Sequence, residues 1–327
     1  MISKLLNNFL INKVNPKSNI LEQASDSQNK LKEILANKLE QDPNLPSVLD
    51  GHEFLFGSAV RGTKQVPFDD IDLMLVLDGS KLVANESSMQ VGTAFGSGKT
   101  YNPLTLPKYL DESGFISSQK ILNTIRSLVD ETYSRSKIRK DGQAINLWMD
   151  SYGFGIDIVP AFKIQHNTAG VHYYIPKGTG SHMWQSTNPH IDLNLFDTED
   201  NRLSGLLKPT ARLLRKWNEL SNDSRLSGFH IDALVYHSLS NKTVNNLENA
   251  VKECFKNFEN LLSQYCPQFS GFGSHIDHKL TNENRKKSKE KIKIANTSIL
   301  GSGLGKLLGK DNSVEIWHKI FDNKLYE

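Results

Sequence analysis

The sequence predicts an α+β chain built as two lobes. Three observations lead there. Short alternating apolar runs cluster in the first half, and amphipathic stretches at helical spacing fill the second. With 38% hydrophobic residues in 327, the chain has enough apolar side chains for a sizeable core in each lobe.

The opening MISKLLNNFLI reads as an amphipathic helix; Asn7 and Asn8 interrupt it too early for the apolar stretch of a signal peptide. Over 21–41, Leu21, Ala24, Leu31, Ile34, Leu35 and Leu39 recur at helical spacing, and Pro43 and Pro46 stop the helix. The run EFLF at 53–56 leads into Gly57-Ser58. Ile71, Leu73, Leu75 and Leu77 then alternate with Asp72, Met74 and Val76, a strand that is polar only at its start. Residues 79–116 are rich in Gly, Ser and Thr and read as a long connection with at most a short helix. Ile121, Leu122, Ile125, Leu128, Val129 and Tyr133 give a helix within 117–137. The runs 144–149 and 155–162, separated by the turn residues DSYG, form a hairpin. Residues 163–200 read as irregular, and helices follow over 203–220, 228–239, 244–265, 281–298 and 311–321. The expected division is a sheet-bearing lobe over 1–200, including the N-terminal helices, and a helical lobe over 201–327, with the active site in the cleft between them.

Composition narrows the function. Lys plus Arg number 39 and Asp plus Glu 36, so a net charge of +3 demands no nucleic-acid coat. The two cysteines, Cys254 and Cys266, form no C-x-x-C and support no disulfide framework. Mean hydropathy is −0.44, and no apolar run approaches the length of a membrane span. The expected location is the cytoplasm.

The chemistry concentrates in FGSAVRGT at 56–63 and DDIDL at 69–73. Asp70 and Asp72 stand two apart on a strand, so both carboxylates point to one face. Like charges that close raise each other's pKa unless a cation neutralises them. Mg²⁺ takes oxygen ligands and keeps waters that substrate phosphates can replace. Two ions need a third carboxylate. Asp157 is the candidate, because it lies between Ile156 and Ile158 in a run where a lone charge is costly. Gly57 and Ser58 offer backbone N–H groups and a hydroxyl to a triphosphate, best placed at a helix N-terminus. Taken singly, a Gly-Ser pair is most often a turn, a D-x-D a solvated strand end, and an isolated acid a hydrogen-bonded core group. The interlocking order of all three is specific.

That order resembles the DNA polymerase β-like nucleotidyltransferase superfamily. The likeness narrows with GSAVRGT and DDIDLMLVL, IDIVPAF, MWQSTNPHID, LLKPTARLLRKWN, LSGFHIDALV and VEIWHKIF. Together these look like bacterial CD-NTases, the cyclic-oligonucleotide synthases of anti-phage (CBASS) signalling and relatives of cyclic GMP-AMP synthase and oligoadenylate synthase. The likeness runs from about residue 50 to the C-terminus.

The resemblance implies a polymerase β-like palm with a mixed sheet, packed on a C-terminal helical lobe. It implies condensation of NTPs, at least one a purine, into a cyclic di- or trinucleotide with release of pyrophosphate. Asp70, Asp72 and Asp157 would hold two Mg²⁺ or Mn²⁺ ions, and Asp157 would also accept the proton of the attacking hydroxyl. Gly57 and Ser58 would bind donor phosphates, and Lys216 and Ser227 match positions that grip the triphosphate from the helical lobe. Asp69 stands where a small polar residue is usual and supports the site at most from outside it. A downstream effector would be reached through the product and not by contact, and the resemblance leaves room for a regulatory partner. No membrane partner is expected; nucleic acid is not excluded, but the charge does not call for it. The rival readings are linear products, adenylylation of another substrate, or a non-catalytic nucleotide-binding module.

Other signals carry less. Lys208, Arg212 and Lys216 form one basic stripe at i, i+4 and i+8, which a solvated face explains as well as a phosphate grip does. Gly96-Ser97-Gly98-Lys99-Thr100 ends like a P-loop, but Thr93 stands where its first glycine is needed. Cys254, Cys266, His275 and His278 hold only one close pair, against the usual habit of structural zinc. Tyr173 and Tyr174 are candidates for stacking on a base. The basic run from Arg285 to Lys293 reads as a solvated helix face.

Overall fold

The alternation of Ile71, Leu73, Leu75 and Leu77 folds as expected into a strand with two different faces. Strands β1 (Phe54–Phe56) and β2 (Asp70–Asp78) pair antiparallel, and β2 runs parallel to β7 (Phe154–His166). The computed structural model describes residues 1–41, 47–49, 54–80, 82–85, 89–93, 107–166, 170–178, 182–269, 271 and 275–325. Pro43, Pro46 and the Gly96–Thr100 loop lie outside the described residues.

Two units divide the chain. The sheet unit comprises 17–59 and 68–189. Its seven-stranded sheet is ordered β1-β2-β7-β6-β5, with β5 at Lys137–Asp141 and β6 at Ala144–Met149. Strands β8 (Gly170–Pro176) and β9 (Trp184–Thr187) branch from the far half of β7. The β6–β7 hairpin has Met149 opposite Phe154, as the turn at 150–153 predicts. The sheet is therefore mixed, with one parallel pair at its centre. One face carries Ile71, Leu73, Leu75 and Leu77 with Ile156, Ile158, Phe162 and Ile164. Helices α2 (Ser18–Leu39) and α3 (Ser118–Thr132) cover that face through Leu31, Leu35, Ile121, Leu122 and Ile125. The other face buries a smaller set: Met74, Val76, Val159, Ala161, Tyr173 and Ile175.

Two stretches read as irregular are not. Within 79–116, β3 (Leu82–Asn85) and β4 (Gln90–Thr93) make a separate antiparallel pair. Within 163–200, β7 continues to His166, β8 and β9 extend the sheet, and α4 (Pro189–Arg202) follows. Both faces of β8 are buried, Tyr173 on one and Tyr174 on the other, so it lacks the apolar–polar alternation that marks a half-exposed strand.

The helical unit comprises 1–16, 60–67 and 190–327. The expected boundary at 200 is thus displaced, for reasons visible in the packing. Helix α1 (Ile2–Phe9) and the π-helical turn after it bury Ile2, Leu6, Phe9, Leu10 and Val14 in the helical core, not against the sheet. Helix α4 contributes Phe196 to the same core. Around them pack α5 (Leu207–Ser221), α6 (Gly228–Leu239), α7 (Leu247–Leu261), α8 (Asn282–Leu307) and α9 (Ser313–Ile320). Helix α8 runs nine residues past its expected end, through Gly301, Gly303 and Gly305. No helix among the described residues is long and apolar enough to cross a membrane.

Candidate active site

The register of the central strands assembles the acidic residues. Asp72 and Asp157 face each other across the parallel β2–β7 pair, and Asp70 lies two residues earlier, opposite Gly155. Paired residues on neighbouring strands share a face, with strand axes about 4.8 Å apart. All three aspartates are half-buried, at the end of the face whose interior is Met74, Val76, Val159 and Ala161.

Their neighbours hold them in place. Asn146, directly opposite Asp157 on β6, donates from Nδ2 to Asp157 Oδ1 at 2.7 Å. Gly155 makes room for that reach, since a Cβ there would lie 2.8 Å from Asn146 Nδ2. Buried Gln28 on α2 donates from Nε2 to the backbone carbonyl of Asp72 at 2.8 Å. Asp69 is exposed, and its carbonyl accepts from Gly155 N at 2.8 Å, so it acts here through backbone.

Gly57 closes the arrangement. Its φ is +84°, in the left-handed region, and a Cβ would sit 1.7 Å from Asp72 Oδ2. The glycine therefore serves both the turn and the close approach to a carboxylate. Ser58 follows in a turn through 58–62. The helix N-terminus looked for after Gly57-Ser58 is absent, so backbone N–H groups and the hydroxyl stand there without a helix dipole.

As the side chains lie, no group of three or more His, Cys, Asp or Glu among the described residues forms a metal cage, the three aspartates included. The donor set nonetheless suits a hard divalent cation: three carboxylates on one face, with Asp157 turned toward Asn146 and Asp72 toward Gly57. We expect Asn146→Ala to lower turnover by about 10–100-fold, the range typical of a group that orients a ligating carboxylate, with unchanged thermal unfolding. Steady-state kinetics beside a melting curve checks this.

Lys216 and Ser227 belong to the helical unit. Lys216 Nζ contacts Glu219 Oε1 at 2.7 Å and donates to the Val66 carbonyl at 3.2 Å. Exposed Ser227 caps α6, its Oγ accepting from His230 N at 3.2 Å. The stripe Lys208–Arg212–Lys216 is not a solvated face. Arg212 Nη1 donates to the Gly62 carbonyl, the Lys208 side chain lies against Gly62, and Lys216 reaches Val66. All three grip the segment that follows Gly57-Ser58.

That segment has a second anchor which the sequence reading passed over. Asp232, fully buried on α6, accepts from Arg61 Nε at 3.1 Å, Thr63 Oγ1 at 2.8 Å, Arg215 Nε at 2.7 Å and Arg215 Nη2 at 2.6 Å. Arg61 also stacks over the Phe229 ring at 4.7 Å. The signal was present: an acid inside the apolar run HIDALV invites the argument used for Asp157.

Burial pushes the Cys254 thiol well up and the Cys266 thiol up to about 12, so both stay protonated rather than ready for zinc. Tyr174 is sealed in the core beside α3 and cannot stack on a base. Tyr173 shares the aspartates' face, but its register partner Lys163 is six residues beyond Asp157, about 20 Å along the strand.

Comparisons with known proteins bear on the family and the fold. A family model described as the Second Messenger Oligonucleotide or Dinucleotide Synthetase domain matches residues 105–199, a span that contains Asp157 but not Asp70 or Asp72. A Bacillus cereus (strain VD146) protein named "Probable cyclic nucleotide synthase" is 28% identical over 276 residues, 83% of this chain and 79% of its own. Two solved structures of CdnC from E. coli MS115-1 share the fold. The one with HORMA-deltaN has a TM-score of 0.69 at 15% identity, covering 99% of this chain and 98% of that one. The one with ATP has a TM-score of 0.70 at 14% identity, with the same coverage.

Proposed function

We propose that this bacterial CD-NTase condenses nucleoside triphosphates into a cyclic di- or trinucleotide that signals in anti-phage defence. That the chain is a nucleotidyltransferase of this kind, with a polymerase β-like fold, rests on the matched synthetase domain, the synthase relative and the shared architecture. The observation that carries the further reading is the register pairing of Asp72 with Asp157 beside Gly57.

In each transfer a ribose hydroxyl oxygen bonds to the donor α-phosphorus, and the bond from that phosphorus to the pyrophosphate oxygen breaks. The hydroxyl proton passes to Asp157, whose orientation the hydrogen bond from Asn146 Nδ2 helps fix. Gly57 and Ser58 hold the donor phosphates with backbone N–H groups and the Ser58 hydroxyl, in a turn that Asp72 abuts. Asp70, Asp72 and Asp157 would hold two divalent ions, Mg²⁺ or Mn²⁺, which supply charge neutralisation for the phosphates when bound. Lys216 and Ser227 are proposed as further nucleotide contacts on the strength of the motif match; for Lys216, phosphate would replace Glu219 Oε1. A second transfer closes the ring. Since one solved relative is complexed with a HORMA protein, a regulatory partner is part of the proposal.

The test is incubation of purified protein with the four NTPs and Mg²⁺ or Mn²⁺, reading pyrophosphate and identifying products by mass spectrometry. A cyclic product supports the reading. Linear oligonucleotides alone would point to a different transferase, and nucleotide binding without any turnover to a binding module.

A further inference from the structure

One face of α8 is bare of described residues over its last two turns and borders the end of α7 over its first half. The helix buries Ser288, Ile292, Ala295, Ile299 and Ser302. On the opposite side, Lys286, Lys289, Lys293, Leu300, Leu304 and Leu307 follow one another at spacings of three, four or seven residues, so they lie along a single stripe. The stripe is about 32 Å long at 1.5 Å per residue. Its first half is cationic and its second half is apolar.

The apolar half is unusually bare. Leu300, Leu304, Leu307 and Leu308 are 63%, 64%, 84% and 80% exposed. A Cβ built on Gly301 or Gly303 would meet nothing within 4 Å, whereas one on Gly305 would meet the Lys310 carbonyl at 2.8 Å, so the chain that follows α8 covers the Gly305 side and leaves the leucines bare. Isolated exposed leucines need no explanation, whereas four on one helix end, at spacings of four, three and one, do.

Charge decides what covers it. Residues 291–310 contain Lys291, Lys293, Lys306 and Lys310 and no Asp or Glu. Lys286, Lys289 and Lys293 line one shallow pocket, which Arg285, Asn282, Glu259 and Glu290 also line. Arg285 is already paired with Asp277 at 2.6 Å, and Lys289 Nζ donates to Ser263 Oγ at 2.8 Å. The surplus is positive. A second copy matches only one half of the stripe: parallel pairing sets the lysine rows together, and an antiparallel overlap through the leucines offers Lys286, Lys289 and Lys293 no acid. An anionic lipid surface fits both halves at once, with headgroups on the lysines and the acyl boundary on the leucines. The sequence argument against a membrane concerned a spanning segment; a helix lying on a surface needs none.

We propose that α8 is a docking face for anionic lipid bilayers, inserting Leu300, Leu304, Leu307 and Leu308 while Lys286, Lys289 and Lys293 engage headgroups. The test is co-sedimentation of the full chain with phosphatidylcholine vesicles, with and without phosphatidylglycerol, at low and high salt. Binding should require phosphatidylglycerol and weaken as salt rises. The double variant Leu304→Ser, Leu307→Ser should lose roughly tenfold or more in partitioning, since two inserted leucines go. The triple variant Lys286→Gln, Lys289→Gln, Lys293→Gln should bind less and with a flatter salt response. Lys286, Lys293, Leu304 and Leu307 are exposed, and glutamine at half-buried Lys289 can still donate to Ser263; none belongs to the catalytic machinery, so NTP turnover and thermal unfolding should stay at wild-type values. The proposal fails if the wild-type chain ignores phosphatidylglycerol vesicles, binds neutral ones equally, or is matched by the leucine variant. It fails equally if the leucines prove to drive self-association without lipid binding.

Discussion

Asp157→Asn should abolish pyrophosphate release without loosening the fold. The amide keeps the size of the carboxylate and can still accept from Asn146 Nδ2 through its own oxygen, so the 2.7 Å contact survives. What it loses is the charge and the ability to take a proton. In the roles proposed for Asp157, loss of a positioned base costs about 10²–10⁴-fold in rate, and loss of a metal ligand would add to this. Stability should hold or rise, because removing one of three neighbouring negative charges relieves repulsion in the metal-free protein. The two signs together discriminate: a structural acid would show loss of both stability and activity. Pyrophosphate release beside a melting curve gives the answer, and activity within tenfold of wild type would remove Asp157 from the chemistry.

The sequence made the acids legible because strand alternation is an exact period. Asp70 and Asp72 share a face by that period alone, and a charge between Ile156 and Ile158 has to face away from the core that takes those isoleucines. The sequence could not show that β2 and β7 are parallel neighbours with Asp72 opposite Asp157, since pairing is non-local. Nor could it show Asn146 or Gln28, whose roles arise from reach across that pairing. Strand β8 was hidden because burial on both faces erases the alternation. The helical half reads well because buried faces repeat every turn: α6 falls on its expected limits, 228–239. The end of α8 was misplaced because Gly301, Gly303 and Gly305 look like a stop, and each costs the helix up to about 1 kcal/mol relative to alanine. The first helix was assigned to the wrong lobe for a further reason: amphipathicity says that a face is buried, not against what.

Asp232→Ala should be among the most destabilising single changes in the helical unit. Asp232 is fully buried and receives four hydrogen bonds, from two guanidinium groups and a threonine hydroxyl. Forming such a cluster gains little net, since desolvation offsets attraction. Breaking it is different. Alanine leaves the Arg61 and Arg215 side chains, each 11% exposed, with no counter-charge in this cluster and little access to water. Removing one partner of a buried ion pair costs about 3–5 kcal/mol, and here one acid serves two bases. A surface pair sets the contrast. Lys252 and Glu248 also meet at 2.6 Å, yet Glu248→Ala should change stability by less than about 1 kcal/mol, because solvent reaches both side chains, 38% and 24% exposed, and screens the pair. Urea unfolding of the two variants against wild type measures the difference. Equal, small losses would mean that water reaches the Asp232 cluster and that residues 60–67 are held mainly by Lys208, Arg212 and Lys216. A large loss for Asp232→Ala alone would make this acid the anchor of the segment that follows Gly57-Ser58, and turnover should then fall with it, because the turn carrying Ser58, proposed above to hold phosphate, continues directly into Arg61 and Thr63.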